Sequence, residues 1–166
     1  MKSLIEDRVN GKLNDIVTKC FLLNRIMDRG MSVLSVKFAM NNTVDQIHPK
    51  LAHLYPKLAD NISDYQGARD CLTIYGETPL DSSDYITPLD FFNKILEYQE
   101  ELESVVSEGI ESAKEEMDFM TKVFLDSFLL SLVPVTNQIL LLVDKAEAYK
   151  DWMMFDADIE KFIILE

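Results

Sequence analysis

The segment HPKLAHLYPKLADNISD, residues 48 to 64, holds both histidines of the chain, His48 and His53, followed by Asp60 and Asp64. Imidazole and carboxylate are ligands that Fe(II) and Zn(II) accept, so the four residues form a candidate metal set. On a regular helix, at about 100 degrees per residue, Asp60 and Asp64 point within about 20 degrees of His53. That direction leads away from the apolar stripe of Leu51, Leu54, Tyr55, Leu58 and Ile62. The simplest reading is therefore a hydrated polar face. One histidine and two carboxylates hold an ion only when further ligands close the shell, with His48 the remaining candidate nearby.

Other chemistry is thin. Nothing resembles a phosphate-binding glycine loop, a nucleophile elbow or a zinc cluster, and five glycines leave little room for one. Cys20 and Cys71 sit in no CxxC and read as buried thiols. A haem site using Met40 or a histidine is outweighed by core packing. Arg69 projects to the apolar side of its helix and Asp126 lies in an apolar stretch, so the two are candidates for a buried polar pair. No residue is assigned a catalytic role.

The elements that position these residues are helices. Leu13, Ile16, Val17, Cys20, Leu23, Met27, Leu34 and Phe38 repeat at helical spacing and predict a first helix over about 4–41. Ser3 with Glu6 could cap an early turn, and Asn10-Gly11 could interrupt it. Thr43 with Gln46 reads as a capping box opening a second helix over 44–75, irregular at Pro49 and Pro56 and stopped by Gly76 and Pro79. Thr87 and Pro88 start a third helix, 88–113, with Phe92, Ile95, Gln99, Leu102, Val106 and Ile110 on one side and glutamates opposite. A fourth spans 116–149 with a kink at Pro134, apolar nearly all round between Phe119 and Val143. A tail over 150–166 is amphipathic enough to dock back or to pack on a neighbour. One domain suffices for a chain of this length.

The link over residues 76–87 decides the topology. Twelve extended residues reach roughly 40 Å, close to the roughly 45 Å of a 30-residue helix, so the third helix can start parallel to the second. Two antiparallel hairpins joined by one long crossover is an all-α, ferritin-like four-helix bundle; a plain up-down bundle with one slack loop is the alternative.

Several strings resemble the Dps mini-ferritins. VKFAMNNTVDQIHPKLAHLYPKLADNI is similar to that family's passage into an LHxxxxxxY second helix, with Ile47, His48 and Tyr55 in place, and ARDCLTIYGETP to its AERxxxxGGxP ending. The resemblance, over about residues 12–150, implies an oligomeric shell, from dimer up to dodecamer, that stores iron. The family's iron-oxidising centre would take a histidine twelve before His48, where Val36 stands. Its carboxylates would fall at Ser63 or Asp64 from one end, or at Gln66 and Asp70 from the other. The ExxH pair of larger ferritins is absent too, its nearest string being Asp45-x-x-His48.

The net charge of -13 is uneven: residues 1–80 hold 9 acids and 10 bases, residues 81–166 hold 20 acids and 6 bases. Such a surface repels phosphate backbones, which argues against nucleic acid as partner. Nine acids against Lys114 between residues 97 and 118 read as a solvated face or, more sharply, as an acidic lining that concentrates cations. The start lacks a signal peptide, and FLLSLVPVTNQILLLV is interrupted by polar residues, so a cytoplasmic protein off the membrane is expected. The competing function is a non-enzymatic helical assembly protein without metal; a DNA protector is a third, weaker one.

Overall fold

The computed structural model describes residues 2–166, all of whose regular structure is helical. The first stripe forms α1, Asp7–Phe38, without a break at Asn10-Gly11. Ser3 caps no helix; its hydroxyl meets the Ile5 carbonyl and the Cys71 thiol.

The second stripe is divided into α2 (Asn41–Ile47), a π-helical turn (His48–Ala52) and α3 (Leu54–Ala68). Proline accounts for the division. Pro49 and Pro56 have no N–H to give, and the restart at Leu54 places Pro56 in a first turn, where that N–H would have no intrahelical acceptor. Thr43 lies inside α2 and forms no box with Gln46: its N–H and hydroxyl both donate to Asp156, each at 2.7 Å. The stripe also ends earlier than residue 75. Asp70 adopts φ 56°, the Cys71 N–H donates to the Gln66 carbonyl at 2.9 Å and the Asp70 N–H to Gly67 at 3.1 Å. This is a Schellman stop, and it leaves Leu72 exposed.

Residues 71–87 then cross the bundle strapped to α1. The Asn10 side chain donates to the Leu72 carbonyl at 3.3 Å, Asn14 accepts from the Ile74 N–H at 2.9 Å, and Thr18 from the Gly76 N–H at 3.1 Å. Further on, Arg29 donates to the Ser83 carbonyl at 2.9 Å and Lys37 to that of Tyr85 at 2.6 Å. Loop and helix numbers rise together, so the crossover runs parallel to α1 and delivers α4 (Pro88–Glu115) to its far end. Thr87 and Asp90 make the capping box there. α4 returns antiparallel to α1, as the pairs Lys19–Glu101 and Lys12–Glu108, both at 2.9 Å, and Arg8–Glu115 at 2.6 Å record.

After another left-handed stop at Met117, α5 (Phe119–Ser131) and α6 (Val133–Ala148) run back along α4, with the expected break at Leu132, two residues before Pro134. Taken together, Phe119–Ala148 has the length and composition of a membrane span, contrary to the reading of its sequence. Its Leu125, Leu132, Val135, Ile139 and Leu142 are buried in the bundle core. The tail docks back as α7 (Trp152–Asp158) and a 3-10 turn (Ile159–Phe162). Gln138 fixes it, donating to the Phe162 carbonyl at 2.8 Å and accepting from the Ile164 and Leu165 N–H groups at 2.7 and 3.1 Å.

Candidate functional site

The π-helical turn and α3 carry the four sequence candidates. His48 and His53 are exposed, their ring centroids 4.2 Å apart and their planes inclined at 62°. Asp60 and Asp64, also exposed, lie further along α3. Helical rise puts Asp60 about 10 Å from His53 and Asp64 about 6 Å beyond it, too far for one ion to span all three. Among the described residues no group of three or more His, Cys, Asp or Glu is disposed to hold a metal ion. The structure thus brings the two histidines together and leaves the carboxylates apart from them.

Arg69 and Asp126 do not pair. Asp126 is exposed on α5 and accepts from Lys122, four residues earlier, at 2.8 Å. The acidic side of α4 faces outward, and three of its glutamates are engaged by Arg8, Lys12 and Lys19 of α1. Cys20 and Cys71 are buried free thiols.

The bundle interior holds a second polar group, to which all four long helical segments contribute. The Tyr55 hydroxyl on α3 donates to Gln99 Oε1 on α4 at 2.7 Å, and Gln99 Nε2 donates to Thr136 Oγ1 on α6 at 3.1 Å. Thr136 in turn donates to the Glu103 carboxylate, and Cys20 of α1 borders Tyr55. Burial, and then the proximity of Cys20 and Glu103, push the Tyr55 phenol well above its ordinary range; burial pushes the Cys20 thiol up to about 12. Sequence reasoning placed Tyr55 and Gln99 on inward stripes without joining them. The signal was the polar atoms themselves, which a core tolerates only when paired.

The sequence matches no family model and no curated protein. Solved structures do match. An open-pore ferritin from the hyperthermophilic archaeon Archaeoglobus fulgidus superposes with a TM-score of 0.89 at 16% identity, covering 99% of this chain and 100% of that one. The fold is ferritin-like. A humanized archaeal ferritin agrees at a TM-score of 0.87 and 16% identity, over 98% and 99% of the two chains. So does an iron-soaked variant of the ferritin PmFTN, at 0.83 and 16%, over 92% and 99%.

Ferritin-like bundles that bind two irons place a glutamate on each of two helices and a Glu-x-x-His pair on each of the others, all facing inward. In this ferritin-like chain the group around Tyr55 offers a phenol, an amide, a hydroxyl, a thiol and one carboxylate, that of half-buried Glu103. Hydrogen bonds join the phenol, the amide, the hydroxyl and the carboxylate to one another. This donor set does not fit a di-iron centre.

Proposed function

We propose that the protein is a subunit of a closed homo-oligomeric shell of ferritin type that takes up iron as cargo and has no complete oxidation centre within the chain. The observation that carries this reading is the end-to-end match to ferritin chains, which includes the crossover and the docked tail. A second supports it. α5 and the start of α6 leave Phe119, Met120, Val123, Leu130 and Val133 exposed, an apolar face of the kind that marks subunit contacts.

The strings around His48 and Gly76 support the mini-ferritin form of this shell, a dodecamer. Asp60 and Asp64 lie too far along α3 to share an ion with His53, so on this reading a carboxylate beside His53 would come from a second copy. Two free thiols suit the cytoplasm.

Light scattering on the intact chain tests the proposal, followed by anaerobic Fe(II) loading, admission of air and size-exclusion chromatography. A mass near twelve chains with iron co-eluting is expected. A larger closed shell keeps the ferritin reading and discards the mini-ferritin form; a monomer or dimer overturns the shell and favours a helical assembly protein.

A further inference from the structure

The turn between α2 and α3 creates a pair of side chains that a regular helix would separate. Residues five apart on an α-helix lie about 140° apart around the axis, so His48 and His53 would face different sides. In the π-helical turn the His53 N–H reaches back five residues to the His48 carbonyl at 3.1 Å, and the wider turn brings the two imidazoles edge to face, their planes inclined at 62°. The turn is anchored from beneath. Leu51 and Ala52 are buried, and Asn24 of α1 donates to the Ala52 carbonyl at 3.0 Å. The two rings stand on this base in solvent, and no hydrogen bond from another described residue engages a ring nitrogen of either.

We propose that His48 and His53 form a two-imidazole site for a divalent late transition-metal ion, which Cu(II) occupies most tightly. Neutral imidazole is a ligand for Cu, Ni and Zn, and among first-row divalent ions Cu(II) binds a given nitrogen site best. The ring spacing argues for a particular geometry. With metal–nitrogen bonds of about 2.0–2.1 Å, and ring centres about 1 Å further out, two imidazoles at right angles on one ion stand roughly 4.5 Å apart, and at a tetrahedral angle roughly 5 Å apart. The observed 4.2 Å is nearer the first, the adjacent positions of a tetragonal ion. Water fills the remaining positions. Asp60 and Asp64 take no part, and the site is complete within one chain whether or not that chain assembles into a shell.

The test is a Cu(II) titration of the metal-free full chain near neutral pH, followed by calorimetry and electron paramagnetic resonance, on wild type, His48→Ala, His53→Ala and His53→Gln. One Cu(II) per chain with two nitrogen donors in the spectrum is expected. Each substitution should lower the affinity by roughly tenfold or more and remove one nitrogen. Because both side chains are exposed, circular dichroism should show each variant folded as wild type. Loss in only one of the two alanine variants overturns the pair in favour of a single-imidazole contact. Binding unchanged in both overturns it altogether and assigns the copper to carboxylates or the amino terminus.

Discussion

The ring of Phe91 occupies the space that a Cβ on Gly30 would need: its Cε2 would lie 1.9 Å and its Cδ2 2.2 Å from that carbon. This contact seats the start of α4 on α1 where the crossover ends, and Phe91 is fully buried there against Tyr85 and Phe92. Gly30→Ala gains about 1 kcal/mol of helix propensity but forces the ring out of its place, at a cost of up to about 3 kcal/mol or somewhat more. A net loss is expected in urea unfolding, partly recovered by adding Phe91→Leu. Wild-type stability in the single variant would show that the helices do not meet this closely.

Ala39 ends α1 at φ 56°, with the following Met40 N–H bonded to the Leu34 carbonyl at 3.0 Å. A Cβ in that conformation costs about 1 kcal/mol or more, which glycine avoids. Ala39→Gly should therefore raise the urea midpoint without changing the slope of the transition. A lowered midpoint would contradict the assigned backbone.

These left-handed positions explain much of what the sequence hid. Helix stops are read from glycine, yet Ala39, Asp70 and Met117 make the three left-handed ends here, so the second helix was carried on to Gly76. Thr43 has the look of a local cap, but its partner Asp156 is 113 residues away. Where the information is local it could be read. The stripes of α1 and α4, the capping box at Thr87, the break near Pro134 and the reach of the crossover all followed from residue type and spacing. Both histidines are candidate ligands in the sequence, but their contact is not legible there: regular helical geometry puts His48 and His53 on different sides, and only the widened turn brings them together.

Asp156 holds the tail to the bundle, so its removal should release α7. Asp156→Ala leaves the Thr43 N–H and hydroxyl without their acceptor in a buried setting, a loss of about 2–3 kcal/mol. Trp152, the only tryptophan, packs edge-on to Phe155 at 6.0 Å and reports the event. A red shift of its fluorescence at a urea concentration below the main transition is expected. A single shared transition in the variant would mean that tail and bundle unfold as one unit.

Alkali should destabilise the protein early. Burial lifts the Cys20 thiol from 9.0 to about 12 and, with Asp81 adding to it, the Tyr85 phenol from 10.0 to about 12. Each group favours the folded state fully below its unfolded value, and that stability is lost as pH rises toward the folded one, at about 1.4 kcal/mol per unit of separation. The melting temperature should fall steadily from pH 9 upward. Cys20→Ala should delay the onset toward pH 10, where the tyrosines begin. A profile in Cys20→Ala that parallels wild type would remove Cys20 from the account; in the folded wild type, thiol reagents should reach Cys20 only on unfolding.

The interior network makes the sharpest statement about iron. Tyr55→Phe deletes the donor to Gln99 Oε1 in a buried setting and should cost about 1–2 kcal/mol, which identifies the network as structural. Glu103→Gln keeps an acceptor oxygen for Thr136 while removing the only carboxylate of the group. If the bundle interior oxidises no iron, aerobic Fe(II) oxidation followed by the ferric absorbance should run at the wild-type rate in both variants, after correction for the folded fraction. A several-fold slowing in Glu103→Gln alone would place a metal ion at that carboxylate and overturn the reading of the interior as a closed hydrogen-bonded core.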